Sequence, residues 1–383
     1  MSYTIRTGAI LLTAAILLVT GLSTSPPANQ GCLPEWPAFH DFRARFIAPS
    51  GKVIDYNHPL QHTTSEGQAY ALFFSLIAND RQLFDEILAW TDTHLVQRGL
   101  AEELPAWEWA NTGIRKNTVL DENSASDADI WLSYTLIEAG RIWHEPRFSR
   151  TGQALASHIL NSEVSYISGL GLTLLPGRWG FVENATTWRL NPSYAPLPLM
   201  TYLALYAEDP RWSQVLESSK KLMTATLHGY ASDWLLYTSA KGFSNDTQTG
   251  GRGSYDAIRV YLWAGMTSLH DPARAGLLAS LGGMKAWLVQ HDHPPESVDT
   301  LSGRTDNTGP PGFSAALLPF LESSGAAEAA SRQRNRLQTI PPGEKPGYYD
   351  SALMLFGLGF DEKRFSFEFD GRLKTSWMTA CPP

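Results

Sequence analysis

Six stretches of the chain have helical length and no polar face: residues 68–78 (QAYALFFSLIA), 130–142 (IWLSYTLIEAGRI), 197–207, 258–266, 313–321 and 351–358. A helix that is apolar all round has to be enclosed by other protein. Alternating with them are six stretches with one apolar stripe and one charged face, at 36–46, 81–98, 148–162, 211–228, 273–291 and 326–337. Such helices cover a core on one side and meet water on the other. The buried stretches open near Glu66, Asp127, Tyr194, Asp256, Phe313 and Asp350, at intervals of 61, 67, 62, 57 and 37 residues, a loose structural period. This alternation predicts an all-α fold, an (α/α)6 barrel of six inner and six outer helices. Two long interruptions rich in Gly, Pro and Trp, at 99–124 and 166–192, predict small irregular or β insertions in the loops.

The alternation is continuous, so residues 26–383 are expected to form one domain; 383 residues with 43% hydrophobic content suffice for one large core. Ahead of it, Arg6 precedes an apolar run over 8–22 and then Ser23, Thr24, Ser25 and two prolines. The run is shorter than the roughly 18–20 residues that a spanning helix needs, and Gly21 and Ser23 offer small residues for cleavage. Residues 1–25 therefore read as a signal peptide, and the mature chain is expected in the periplasm or outside the cell, with no stable membrane insertion. The two cysteines, Cys32 and Cys381, are expected to pair in that oxidising compartment.

Composition closes several function classes. The net charge is −8 and only 18% of residues are charged, so there is no basic stripe to neutralise a nucleic-acid backbone. Two cysteines cannot build a zinc cage, the ten histidines show no HExxH spacing, and the Gly250-Gly251-Arg252-Gly253 run lacks the lysine of a phosphate loop. Neither a metal nor another cofactor is expected.

Three of the buried stretches begin with a carboxylate: Thr63-Thr64-Ser65-Glu66, Ser126-Asp127-Ala128-Asp129 and Ser254-Tyr255-Asp256. Thr63 with Glu66, and Ser126 with Asp129, fit capping boxes, and acids near a helix N-terminus gain roughly 0.3–1 kcal/mol from the dipole. Capping does not require the three to meet. Inner helices of an alternating ring run the same way, so their N-termini converge on one mouth and bring these acids together. Converging carboxylates suit general acid and base work at a glycosidic bond, one group kept protonated and another ionised. Loop aromatics beside them, Trp107, Trp109, Trp179 and Tyr255, are candidates to stack on sugar rings.

These residues carry a resemblance. Ala125-Ser126-Asp127-Ala128-Asp129, continuing through Leu136 and Ala139 to Trp143, resembles the signature of glycoside hydrolase family 8, with Leu132 and Ser133 departing slightly from it. Thr64-Ser65-Glu66-Gly67-Gln68-Ala69-Tyr70, Asn191-Pro192-Ser193-Tyr194 and Tyr255-Asp256-Ala257-Ile258-Arg259 are similar to its other blocks, in the same order. Gly312-Phe313-Ser314-Ala315-Ala316-Leu317-Leu318-Pro319 and Tyr348-Tyr349-Asp350 look like the periplasmic members encoded with bacterial cellulose synthase. The resemblance implies an (α/α)6 barrel cutting internal bonds of β-1,4-glucan by inversion, with Glu66 as general acid, Asp256 as general base, Asp127 gripping the sugar at the cleaved bond and Tyr194 positioning the water. It also implies the cellulose synthesis and export machinery as a partner; the chain itself is expected to be a monomer. Arg259, three residues after Asp256 and so on nearly the same helix face, is a candidate to hold an acid's charge or simply to make a buried ion pair. Xylan or chitosan as substrate, or a glucan-guiding protein without turnover, remain alternatives.

One tension is physical. A helix N-terminus favours ionised Glu66, whereas a general acid must keep its proton near neutral pH. Desolvation and the like charge of Asp127 would have to outweigh the dipole.

Overall fold

The computed structural model describes Met1 and residues 35–110, 118–341 and 345–380. The expected signal peptide beyond Met1, and both cysteines with their expected disulfide, lie outside the described residues. In chain order the helices are α1 (Pro37–Phe46), α2 (Ser65–Ile77), α3 (Arg81–His94), α4 (Ser126–Ile142), α5 (Pro146–Ser162), α6 (Leu197–Tyr206), α7 (Arg211–Met223), α8 (Ala257–Met266), α9 (Arg274–Ser280), α10 (Gly282–Gln290), α11 (Pro311–Ser323), α12 (Ala327–Gln338), α13 (Tyr348–Asp361) and the short α14 (Ser376–Ala380).

Helices α2, α4, α6, α8, α11 and α13 are the ones with no polar face, and they close into a ring. Phe73 of α2 meets Trp131 of α4 with ring centroids 4.8 Å apart, and Tyr134 of α4 meets Tyr202 of α6 at 5.0 Å. The Trp263 indole of α8 donates to the Ser193 carbonyl just ahead of α6, at 2.9 Å. On the other side α8, α11 and α13 touch backbone to backbone through glycine: a Cβ on Gly265 would lie 2.2 Å from the Phe320 amide, and one on Gly357 1.9 Å from the Ala315 carbonyl. Phe356 of α13 against Phe74 of α2, at 4.6 Å, completes the circle. Trp131, Trp263 and Phe356 come from three different helices and fill the axis with centroids 5.1–5.4 Å apart, each buried ring contributing on the order of 1.5–3 kcal/mol. The chain is thus an (α/α)6 barrel, with α1, α3, α5, α7, the α9–α10 pair and α12 outside.

The expected outer helix over 273–291 is broken at Leu281 into α9 and α10. Its Gly282-Gly283 pair runs against another backbone: the Gly283 amide donates to the Gly229 carbonyl at 3.0 Å, and a Cβ there would lie 2.3 Å from the His228 carbonyl. The apolar period passes through this break, so periodicity alone could not mark it.

Connections differ sharply at the two ends. From an inner to the next outer helix they are tight turns, reversed by a left-handed residue at Asn79 (φ 54°), His144 (φ 55°) and Gly325 (φ 73°). From an outer to the next inner helix they are long and carry antiparallel strands. Thr63–Thr64, Glu108–Ala110 and Thr118–Asp121 form one sheet. A four-stranded sheet lies between α5 and α8, and Arg252–Gly253 pairs with Pro295–Asp299 just ahead of α8. The expected β insertions therefore gather on the mouth where the inner helices begin, and they build its walls.

Candidate active site

Glu66 sits in the first turn of α2, Asp127 in the first turn of α4, and Asp256 immediately before α8. All three meet on one side chain. Arg259, one turn into α8 and buried, donates from Nη1 to Glu66 Oε2 and, at 2.9 Å, to Asp127 Oδ2. From Nη2 it donates to Asp256 Oδ1 at 2.8 Å. Nη1 also reaches the Tyr70 hydroxyl at 3.1 Å, and the guanidinium lies 5.5 Å from the Tyr194 ring centre. One cation thus gathers three carboxyl groups from the starts of three helices, the condition under which acids can share a buried site. Asp127 is 4% exposed, against 22% for Glu66 and 30% for Asp256. The first is set in the floor; the other two face the opening.

Capping does not explain these acids. The cap of α2 is Thr64, whose hydroxyl accepts from the Gly67 amide at 3.0 Å, while Thr63 donates to the Val53 carbonyl. The first helical residue of α4 is Ser126, with no side-chain cap at Ala125, so neither expected capping box forms. At α8 the cap comes from elsewhere: Asp233 Oδ1 accepts from the Ser254 and Ala257 amides at 2.7 and 2.8 Å. That frees Asp256 to face Arg259. Burial, with the charge of Asp256 next, raises the Asp233 pKa to about 6.

The protonation states separate. Burial pushes the Glu66 pKa up to about 7; Arg259 pulls it back, and the charges of Asp127 and Asp256 with a hydrogen bond to Asp127 lift it again. Burial therefore prevails over the pull of Arg259, and Glu66 carries the proton of the Glu66–Asp127 hydrogen bond. Asp127 is raised as well, by burial, against Arg259 and the Ala128 amide, which reaches its Oδ1 at 2.8 Å. Burial and the charges of Asp127 and Asp256 hold the Tyr194 hydroxyl well above its ordinary pKa, so it remains a donor.

The aromatic candidates divide. Tyr255 is exposed and lines, with Glu66, Asp55, His62, Tyr348 and Tyr349, a cavity of about 330 Å³; Tyr349 donates to the Tyr255 carbonyl at 2.6 Å. Trp107 is half-buried, its backbone bonded to Ser65 and Asn123 at the entry to α2. Trp179 is 54% exposed and lines a separate cavity with His94, Val119 and Arg178. Trp109 is a correction: it is buried, meets Trp90 edge-on at 5.3 Å, and has the Lys52 ammonium 4.1 Å from its ring centre. Its faces are taken by packing, and it is not a platform for sugar.

Sequence reasoning passed over a second acid pair beneath the first. Asp129, two residues after Asp127, is fully buried against Glu163 of the segment after α5. Burial, followed by the charge and hydrogen bond of Glu163, lifts the Asp129 pKa well up; burial holds Glu163 at about 7 against the Ser124 hydroxyl and Asp129, which both bond to it. The charge of Arg178 pulls both values back without reversing them, and the hydrogen bond between the two acids raises Asp129 while lowering Glu163, which makes Asp129 the donor.

A barrel of helix pairs with acids converging on the inner N-termini defines a class of hydrolase, and comparison with known proteins agrees. Residues 13–363 match the model of glycosyl hydrolases family 8. This chain belongs to that family. It is 44% identical to an endoglucanase of Salmonella typhi, over 96% of both chains, and 42% identical to one of Escherichia coli K12, over 90% of this chain and 92% of that one. Among solved structures it is similar to an endo-1,4-D-glucanase from Vibrio fischeri, with a TM-score of 0.84 and 41% identity, covering 90% of this chain and all of the other. It is also similar to the endo-beta-1,4-glucanase CMCax from Acetobacter xylinum, with a TM-score of 0.71 and 28% identity, over 84% and 96%.

Proposed function

We propose that this glycoside hydrolase is an endo-β-1,4-glucanase that cuts cellulose with inversion, exported to the periplasm and acting alongside cellulose synthesis and secretion. The observation that carries the mechanism is the Arg259 fork: Glu66 and Asp256 bond to different nitrogens of one guanidinium and both face the opening. Glu66, protonated until pH reaches about 7, gives its proton to the glycosidic oxygen. Asp256, across the fork, takes a proton from water as it attacks the opposite face of the sugar. Inversion needs about 6.5–9.5 Å between such carboxyls, and retention about 5–5.5 Å. Asp127 in the floor grips the sugar at the cleaved bond, and the Tyr194 hydroxyl orients the water. The relatives' names support endoglucanase activity, and the apolar run after Arg6 supports export. Among the described residues no helix is long and apolar enough to cross a membrane.

Reducing-end release on carboxymethylcellulose, xylan and chitosan side by side tests the substrate, with carboxymethylcellulose expected to be cut fastest. Proton NMR of the first product tests the stereochemistry. The α anomer from the β-linked polymer supports the scheme and the β anomer rules it out. Glu66→Gln and Asp256→Asn should each remove most turnover while leaving fold and polymer binding nearly intact.

A further inference from the structure

At the edge of the cavity that holds Glu66, the loop over 54–62 makes a tight reversal. The Gln61 amide donates to the His58 carbonyl at 2.8 Å and the Asp55 amide to the His62 carbonyl at 3.0 Å. Pro59 sets the second position of the turn, and Gln61 takes a left-handed φ of 46°. The reversal lays the two imidazoles face to face, with centroids 3.7 Å apart and planes 15° apart. The neighbouring strand, paired through Thr64 and Glu108, brings a carboxylate to their edge: Glu108 Oε1 is 2.7 Å from His62 Nδ1. One ring nitrogen from each histidine and one Glu108 oxygen all lie within 4.8 Å of one another.

We propose that His58, His62 and Glu108 bind one divalent ion of the zinc class at the rim of the cavity. Two imidazole nitrogens and one carboxylate oxygen are a donor set that zinc favours and that calcium and magnesium, which want oxygen, do not. The far side of His62 is furnished as well: Asp55 Oδ2 lies 3.9 Å from Nε2. The 2.7 Å contact on the near side is a hydrogen bond between Nδ1 and Glu108 Oε1, so an ion held there takes the place of the proton between the two atoms, and its uptake releases that proton. Zinc bonds of about 2.0–2.1 Å place tetrahedral ligand atoms roughly 3.3–3.4 Å apart, and an ion lies in the plane of each imidazole that binds it, so closure asks for a movement on the order of 1 Å together with a turn of one ring out of the stack. His58, on the turn, can supply it. An ion so held ties the loop to the strand beside Thr64, the cap of the helix that carries Glu66. The proposal is independent of the cleavage reaction.

Its test is metal binding by the untagged full chain, stripped with chelator and dialysed against zinc at pH 7.5. One zinc per chain is expected, with affinity at least tenfold weaker in both His58→Ala and Glu108→Gln and at least tenfold weaker at pH 5.5, where imidazole protons compete. Cobalt in the unmodified chain should give the visible absorption of four-coordinate nitrogen and oxygen ligation, a readout that needs no variant to fold. Less than one zinc per chain, a cobalt spectrum of the hydrated ion, or affinity unchanged by both substitutions overturns the proposal.

Discussion

At the scale of single residues, the site turns on how one guanidinium divides its charge. Arg259 lowers the Glu66 pKa while Asp127 raises it, so the two can be separated by sign. Arg259→Gln should cost roughly 10²–10³ in kcat/KM, as loss of a preorganised donor does, and shift the alkaline limb of the pH profile upward because Glu66 holds its proton longer. Asp127→Asn should also lower turnover but move the same limb downward. Equal shifts in both would show that the limb does not report Glu66. The lower acid pair gives a stability prediction. Its folded carboxyls bind protons more tightly than unfolded ones, so this pair's contribution to stability falls as pH rises from about 4 through about 7. Asp129→Asn keeps a neutral donor to Glu163 and should flatten that fall in urea unfolding at pH 5 and pH 8, whereas Asp129→Ala should cost about 1–3 kcal/mol at both. The meeting of Glu66, Asp127 and Asp256 was legible because helix direction dictates it. Asp233 and Glu163 were not, because each acts on a segment remote in sequence and neither lies in a helical pattern.

At the scale of elements, polarity around each helix was enough to sort inner from outer, since burial on all sides leaves no place for charge. Helix ends were harder to read. Thr63 and Thr64 are chemically equal candidates for a cap, and only the strand that pairs Thr63 with Trp109 decides between them. Close approach of two backbones is likewise hidden until the ring is built. Gly357 shows what depends on it: with its Cβ position 1.9 Å from the Ala315 carbonyl, Gly357→Ala must push α13 off α11. A loss on the order of 1–3 kcal/mol or more is expected, read as a lower midpoint in denaturant. Gly276, whose Cβ would meet nothing within 4 Å, makes the control. Gly276→Ala in α9 should be neutral or slightly stabilising.

At the scale of the whole molecule, the uneven lengths of the connections concentrate the long insertions and the converging acids on one mouth, while the other end carries tight turns and one hairpin, Phe365–Phe367 with Leu373–Thr375. Trp179, exposed and away from the acids, is expected to hold polymer without touching the cleaved bond. Trp179→Ala should therefore raise KM for carboxymethylcellulose several-fold with kcat nearly unchanged, and equal loss in both would place it nearer the chemistry. The ring also has a consequence for how the enzyme comes to life. The proposed proton donor lies on the first inner helix and the proposed base just ahead of the fourth, and the last inner helix seals the circle by setting Phe356 against Tyr70 and Phe74. A chain without its last inner helix lacks the packing that holds the first one, and the acids it carries, in place. Hydrolytic power is thus expected to arrive in one step, with the final closure of the barrel, so that a chain whose ring is still open cuts nothing.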